Sequence, residues 1–263
     1  MSTGNEGIHA RLHISTRLGE DGKTYPAEVF YSAPYKLTNY FRLENGGIEY
    51  IIMNASAGVM AHDRYHMTIE VASGTALTIS AQSFEKIHKM ETGEACRTTV
   101  INIASGGTLN YLLLPAIPFA DSAFSAQTKI VLEDNRARLL HLDIIGCGRH
   151  LRGERFNYRY FKSRTEVWRD QRPLYIDNSH FEPVSGNLAG IGMFEGYNYV
   201  ANLIIYGYAL TPQLQQQICE LLADNSLNGA LTELTGNGYL LRLMSDSGHK
   251  INEFTLSVSR LLQ

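Results

Sequence analysis

Hydrophobic and polar residues alternate with a period of two along much of the chain. Arg11-Leu12-His13-Ile14-Ser15, Met67-Thr68-Ile69-Glu70-Val71 and Thr99-Val100-Ile101-Asn102-Ile103 each place their apolar side chains on one face. With Val, Ile, Thr and Tyr abundant, that period predicts half-buried strands. Between such runs lie Glu20-Asp21-Gly22, Glu44-Asn45-Gly46-Gly47, Ser73-Gly74, Ser105-Gly106-Gly107, Asp134-Asn135 and Gly236-Asn237-Gly238. Glycine and asparagine accept positive φ, so the chain is expected to reverse at these points.

The turn-and-strand unit repeats. Ser73-Gly74-Thr75-Ala76-Leu77-Thr78-Ile79 is echoed by Ser105-Gly106-Gly107-Thr108-Leu109-Asn110-Tyr111, and Asn135 to Leu142 follows the same plan. A pitch of about 30 residues suits stacked β-coils. The same units also fit ordinary turns, each followed by a strand. Two segments near the C-terminus change period. Thr211-Pro212 sets a capping hydroxyl before a first-turn proline, and Leu214, Ile218, Leu221 and Leu222 then share a helical face, with Asn225 as the stop. Ile251, Phe254, Val258 and Leu261 make a second stripe within 251–262. The expected fold is therefore all-β dominated: one domain over 1–263, of many short strands in a coil or sandwich, with two helices covering an open sheet. Residues 1–9 are expected to form a flexible tail. Asp177 to Gly196, the least regular stretch, is expected to be a long connection.

Composition narrows the function classes. Of 263 residues, 23 are Lys or Arg and 26 Asp or Glu, a net charge of −3. A general electrostatic grip on nucleic acid needs a basic excess, so no nucleic-acid partner is expected. Cys96, Cys147 and Cys219 are scattered and form no CxxC, which supports neither a disulfide framework nor a cysteine zinc site. No apolar run reaches the roughly 20 residues of a membrane span, and Met1 to Ala10 lacks a signal-peptide core. The expectation is a cytoplasmic protein without a membrane partner.

Catalytic signatures are missing: the chain has no GxSxG, HExxH, GxxxxGK[ST] or strand-borne GxGxxG. Cys147 beside Arg149 fits either an activated thiolate or a small residue in a tight turn. His62 and His66 would share a face and suit a divalent metal if helical, but Gly58 before them and the strand after them favour an exposed turn. Asp143 lies in the otherwise apolar His141-Leu142-Asp143-Ile144-Ile145. A carboxylate there is costly to bury unless paired, so it marks either a site or a structural pair with Arg149 or Lys86.

Five blocks in order carry a family resemblance. They are Gly58-Val59-Met60-Ala61-His62-Asp63, Ser80-Ala81-Gln82-Ser83-Phe84-Glu85-Lys86-Ile87-His88, Leu114-Pro115-Ala116-Ile117-Pro118-Phe119 with Ser122, then Asp143 with Gly148-Arg149 and Gly153-Glu154-Arg155-Phe156, and Arg172-Pro173-Leu174-Tyr175-Ile176-Asp177. Across roughly 10–262 the chain resembles the urease accessory proteins UreD and UreH. Ser83 to His88 is most similar to the UreH branch. Where much of that family has a glycine-rich turn before the first aspartate, this chain has Ala61-His62.

The resemblance implies a non-enzymatic scaffold, with no tightly bound cofactor, that helps install nickel in apo-urease. Its implied partners are the urease apoprotein, a UreF-like accessory protein and, through that protein, a UreG-like GTPase carrying nickel. The implied passage draws on Asp63, Glu85, Asp143, Glu154 and Asp177, with Gln82, Lys86 and Arg149 beside them. Asp63, Glu85, Asp143 and Glu154 are expected to face one water-filled channel. Carboxylates hold nickel more weakly than imidazole or thiolate, as a conduit that must release its ion requires. Arg149 and Lys86 would neutralise some of these acids. Phe156 to Phe161 and Tyr197-Asn198-Tyr199 offer either partner anchors or strand packing. Two other readings remain open: a purely structural adaptor, and a β-fold hydrolase using Asp143 and Glu154.

Overall fold

A computed structural model describes residues 7–262. The first third runs through β1 (His9–Leu18), β2 (Thr24–Tyr31), β3 (Tyr35–Leu37), β4 (Phe41–Arg42), β5 (Ile48–Asn54), β6 (Arg64–Val71) and β7 (Ala76–Ala81). The middle holds β8 (Glu85–Ile87), β9 (Ala95–Ile103), β10 (Thr108–Leu112), β11 (Ala116–Pro118), β12 (Ala123–Leu132), β13 (Arg138–Gly146), β14 (Tyr160–Arg169) and β15 (Arg172–Phe181). The last third is β16 (Tyr199–Tyr206), α1 (Pro212–Asp224), β17 (Asn228–Leu234), β18 (Gly238–Ser245) and α2 (Gly248–Leu261).

From β5 to β14, successive long strands alternate between two sheets. The first sheet runs β15-β14-β12-β9-β6-β1-β2, and the main path of the second runs β17-β18-β16-β13-β10-β7-β5-β3. From β6 to β14 the neighbours within each sheet are parallel. The chain therefore coils, laying one strand in each sheet per turn. The internal echo marks the corner of that coil. Ser73 Oγ donates to the Ser105 carbonyl at 2.9 Å, and Ser105 Oγ donates to Asp134 Oδ2 at 2.7 Å, so three successive turns are tied in a column. Thr108 and Arg138 donate their backbone N–H groups to Thr75 and Gly107, each at 2.8 Å.

Asp134 shapes the last of these corners. Its carboxylate also accepts from the backbone N–H groups of Arg136 and Ala137 at 2.8 and 3.2 Å. The Ser105 hydroxyl, these amides and the Arg136 charge hold its pKa at about 2. A folded pKa below the unfolded value means that the contribution is complete above about pH 4 and fades as pH falls toward the folded pKa. Asp134→Asn is expected to lower the urea midpoint at pH 5 and to flatten its fall between pH 5 and pH 3. An unchanged slope measured across that range would show that the carboxylate is not coupled to folding.

Two cores result. One lies between the sheets and includes Leu12, Ile14, Ile69, Ile101, Phe124 and Ile130. The other lies between the second sheet and the helices, where Ile218, Leu222, Ile251, Phe254 and Val258 meet Leu140, Leu142, Ile205 and Leu243. Both helices cover the outer face of this sheet, as their apolar stripes require. Thr211 Oγ1 caps α1 by accepting from the Leu214 amide at 3.3 Å. Ser247 does the same for α2 through Lys250, which starts that helix at Gly248 rather than Ile251.

Two expectations change. Residues 1–6 of the tail lie outside the described residues, but Ile8 and His9 are already held. The Ile8 carbonyl accepts from the Arg64 amide at 2.7 Å, and His9 begins β1 beside β6. The connection expected over Asp177 to Gly196 begins as strand, because β15 continues to Phe181. Asp177 and Ser179 occupy positions that face inward, but toward a polar cavity. The strand therefore lacks the apolar alternation that would reveal it. The true connection is 182–198, anchored by Phe194, which is buried against Phe156 and Phe181.

Candidate functional site

The site grows from the alternation of β13. Leu140, Leu142 and Ile144 point to the helices, whereas Leu139 and Ile145 join the core between the sheets. Period two therefore puts His141 and Asp143 on the inner face, in the middle of the strand. In the same sheet Asp143 is level with Asn202, and Asn202 with Arg242. Across the gap, the first sheet presents a row of Arg97, Ala126, Ser163 and Ser179, one residue from each of four neighbouring strands. A polar seam thus runs between two otherwise apolar inner faces.

Two adjoining cavities follow this seam. One, of about 100 Å³, has Glu85, Arg97, Tyr111, His141, Asp143 and Ser163 in its walls. The other, of about 260 Å³, has Asp143, Ser163, Asp177, Ser179, Asn202 and Arg242. Asp143 and Ser163 belong to both. Ser163 Oγ donates to Asp143 Oδ2 at 3.0 Å, bridging the sheets where the cavities meet.

The charges along the seam differ in how far they are neutralised. Arg97 donates to both Glu85 oxygens at 2.6 and 2.7 Å, in a largely buried pair. Although burial opposes its charge, Glu85 and nearby groups push the Arg97 pKa above its ordinary value. Asp177 accepts from Ser179 Oγ at 2.7 Å and lies 3.5 Å from the exposed Arg242 guanidinium. Asp143 has no ion-pair partner within 4 Å among the described residues. The Arg149 or Lys86 pairs considered for it do not form. Burial, with Arg97 adding to it, pushes the His141 pKa down to about 4, so the ring is neutral at pH 7.

Glu85, Asp143 and Asp177 are thus brought to the seam, with Lys86 in the wall of the first cavity. Asp63 and Glu154 are not, and this corrects the common channel expected for four acids. Asp63 is buried as a local clamp: it accepts from the amides of Ile8 and Met60 at 2.8 Å each and from Tyr65 Oη at 3.2 Å. His62, which stands before it, takes φ of +67°, the conformation that glycine adopts most easily. The histidine thus fills the glycine-like turn while Asp63 remains buried. Glu154 forms a bidentate pair with Arg149, whose hydrogen bonds hold its carboxyl below the usual range. Arg149 also lies over the Phe119 ring at 4.1 Å. Gln82 is exposed, and its backbone N–H donates to Ile52.

The remaining candidates resolve in the same way. Cys147 is fully buried, and burial pushes its thiol pKa up, which corrects the activated-thiolate reading. His62 lies in a turn and His66 on β6. Among the described residues, no three His, Cys, Asp or Glu side chains converge as a metal cage. Tyr158, Phe161 and Tyr199 are buried in the fold.

A family model described as the UreD urease accessory protein matches residues 7–263. This chain belongs to the UreD family. It is 30% identical over 258 residues to the urease accessory protein UreD of Acetivibrio thermocellus, covering 97% of this chain and 98% of that protein. It is 26% identical over 253 residues to UreH of Helicobacter pylori, covering 96% and 94%. It is 29% identical over 270 residues to UreD of Haemophilus influenzae, covering 97% and 99%. A UreD family member of this length thus carries its acids on a two-sheet coil. Among the described residues, no helix is long and apolar enough to cross a membrane. Arg97, Tyr111, His141, Ser163, Asn202 and Arg242 join the UreD seam without having been singled out in sequence. Only His141 left a signal there, by alternating with Asp143.

Proposed function

We propose that this UreD family member takes part in delivering nickel to apo-urease in the cytoplasm, and that the seam between its sheets is the ion's path. The observation that carries the reading is Asp143: a carboxylate without a cationic partner at the junction of two polar cavities. A carboxylate that no cation pairs directly attracts a divalent cation, although the Arg97 charge, itself held by Glu85, acts on it from a distance, while oxygen donors favour release. Glu85, cancelled by Arg97, supplies polarity rather than net charge, and Asp177 extends the path toward the Arg242 end. The partners are the urease apoprotein and a UreF-like protein that brings a UreG-like GTPase. The chain bridges them as a scaffold, breaks no bonds and keeps no cofactor. The relatives' names as urease accessory proteins support this setting.

Asp143 and Glu154 cannot serve as the acid and base of a hydrolase in this arrangement, because Glu154 is engaged by Arg149 outside both cavities. The adaptor reading differs only in needing no path, and the test separates the two. In a reconstituted mixture of apo-urease, UreF-like protein, UreG-like GTPase, nickel and GTP, Asp143→Asn is expected to form the same complexes but to activate urease roughly tenfold less, the scale seen when groups around metal sites are altered. Ala126→Phe, which narrows the gap from the opposite sheet, is expected to act in the same direction. Full activation by both variants within intact complexes would leave the chain as an adaptor alone.

A further inference from the structure

His141 is 3% exposed and sits in the wall of the first cavity. Its ring stacks on Tyr111, the neighbouring residue in parallel register, with centroids 5.4 Å apart and planes 5° from parallel. Tyr111 is itself buried, so the imidazole is clamped on one flat side. Yet neither Nδ1 nor Nε2 has a hydrogen-bond partner among the described residues. Buried polar atoms are nearly always paired, so an imidazole with two unpaired nitrogens calls for something that visits the ring. Two residues further along the same inner face stands Asp143, which lacks an ionic partner. Residues at i and i+2 of a strand lie roughly 6.7 Å apart at Cα. Both side chains line the first cavity and are long enough to meet at a single ion between them.

We propose that His141 and Asp143 form a two-ligand stopping place for a borderline divalent cation such as nickel, one imidazole nitrogen and one carboxylate oxygen, with water completing the shell. This inference rests on the nickel-path reading and adds a nitrogen donor to it. The chemistry matters for selectivity. A path of oxygen donors alone separates nickel from magnesium only weakly, whereas one imidazole widens the margin. With only two protein ligands the ion is held briefly rather than stored.

The test uses the full chain labelled with ¹⁵N at histidine. Zn²⁺ alone serves as a diamagnetic probe with similar ligand preferences, and Mg²⁺ as the hard-cation control. The His141 signals are assigned by their loss in His141→Asn. Direct coordination moves the ¹⁵N shift of one ring nitrogen strongly, which mere proximity of an ion does not do. Zn²⁺ is expected to move one His141 nitrogen and Mg²⁺ neither. Asp143→Asn is expected to raise the Zn²⁺ concentration needed at His141 roughly tenfold, without altering the response of the exposed His9, His66 and His180. A His141 signal unmoved by Zn²⁺, or moved equally in Asp143→Asn, overturns the two-ligand site. If Asp143→Asn nevertheless blocks urease activation, the path itself stands without the histidine. If activation is undiminished in both Asp143→Asn and His141→Asn, the path falls and the site with it. The titration itself is read on the unaltered chain, and His141→Gln supplies the assignment should His141→Asn fail to fold.

Discussion

Arg97→Met is expected to destabilise the fold by about 3 kcal/mol, near the lower end of the range for breaking a buried ion pair. Its side chain is 12% exposed and that of its partner Glu85 22%, both well below a third. Removing the arginine leaves the largely buried Glu85 carboxylate in the first cavity without its paired cation. Methionine keeps much of the stem's volume, so the loss reports the charge more than a cavity. Glu85→Leu should cost at least as much, because it strands the positive member. The double variant should recover most of the loss, since two apolar groups need no mutual compensation. Urea unfolding of the four proteins forms a complete cycle. Additive losses, with no recovery in the double variant, would show that the pair is not coupled in the folded state. The same Arg97→Met change removes a positive charge from the first cavity, so where the protein remains folded it should strengthen rather than weaken divalent-ion attraction at Asp143.

Phe254→Ala is expected to cost roughly 3–5 kcal/mol and to lower the melting temperature on the order of 10 °C for a chain of this size. The ring is fully buried between α2 and the outer face of the second sheet. Alanine would leave a cavity under a helix held mainly by its apolar stripe, since Ser247 supplies a single cap. The damage should stay on that side of the sheet. Hydrogen exchange is the discriminating measurement: amides of α2, and of β18 beneath it, should lose protection before those of β9 and β12 in the first sheet. Equal loss of protection everywhere would mean that the two cores unfold as one unit.

How far the residues alone reveal this protein varies from element to element. The period-two runs at Arg11–Ser15, Met67–Val71 and Thr99–Ile103 fall inside β1, β6 and β9 because each has one apolar face to bury. The Thr211 and Asn225 signals bound α1 within a residue, because caps act locally. The repeated Ser-Gly turns indicate a coil, and the Ser73–Ser105–Asp134 column explains why those residue types recur at that pitch. β15 escaped notice for the opposite reason. Its inward positions, Asp177 and Ser179, face a polar cavity, so the strand carries no hydrophobic period.

The site shows the same division. Family-like blocks point to acids, and local chemistry marks Asp143 as misplaced in an apolar strand. Linear order decides nothing about which acids meet. Asp63 and Glu154 stand in blocks as characteristic as those of Glu85 and Asp177, yet other partners engage them: the amides of nearby Met60 and of Ile8, distant in sequence, in one case, and Arg149 in the other. Arg97, Ser163 and Arg242 enter the seam from strands far apart in sequence. Strand period, turn positions, helix caps and family membership are written in the sequence, because they depend on neighbours along the chain. The seam, the Arg97–Glu85 pair, the clamped His141 and the uncompensated Asp143 exist only once the two sheets face each other, because a gap between layers is lined by residues that the coil, not the sequence, makes adjacent.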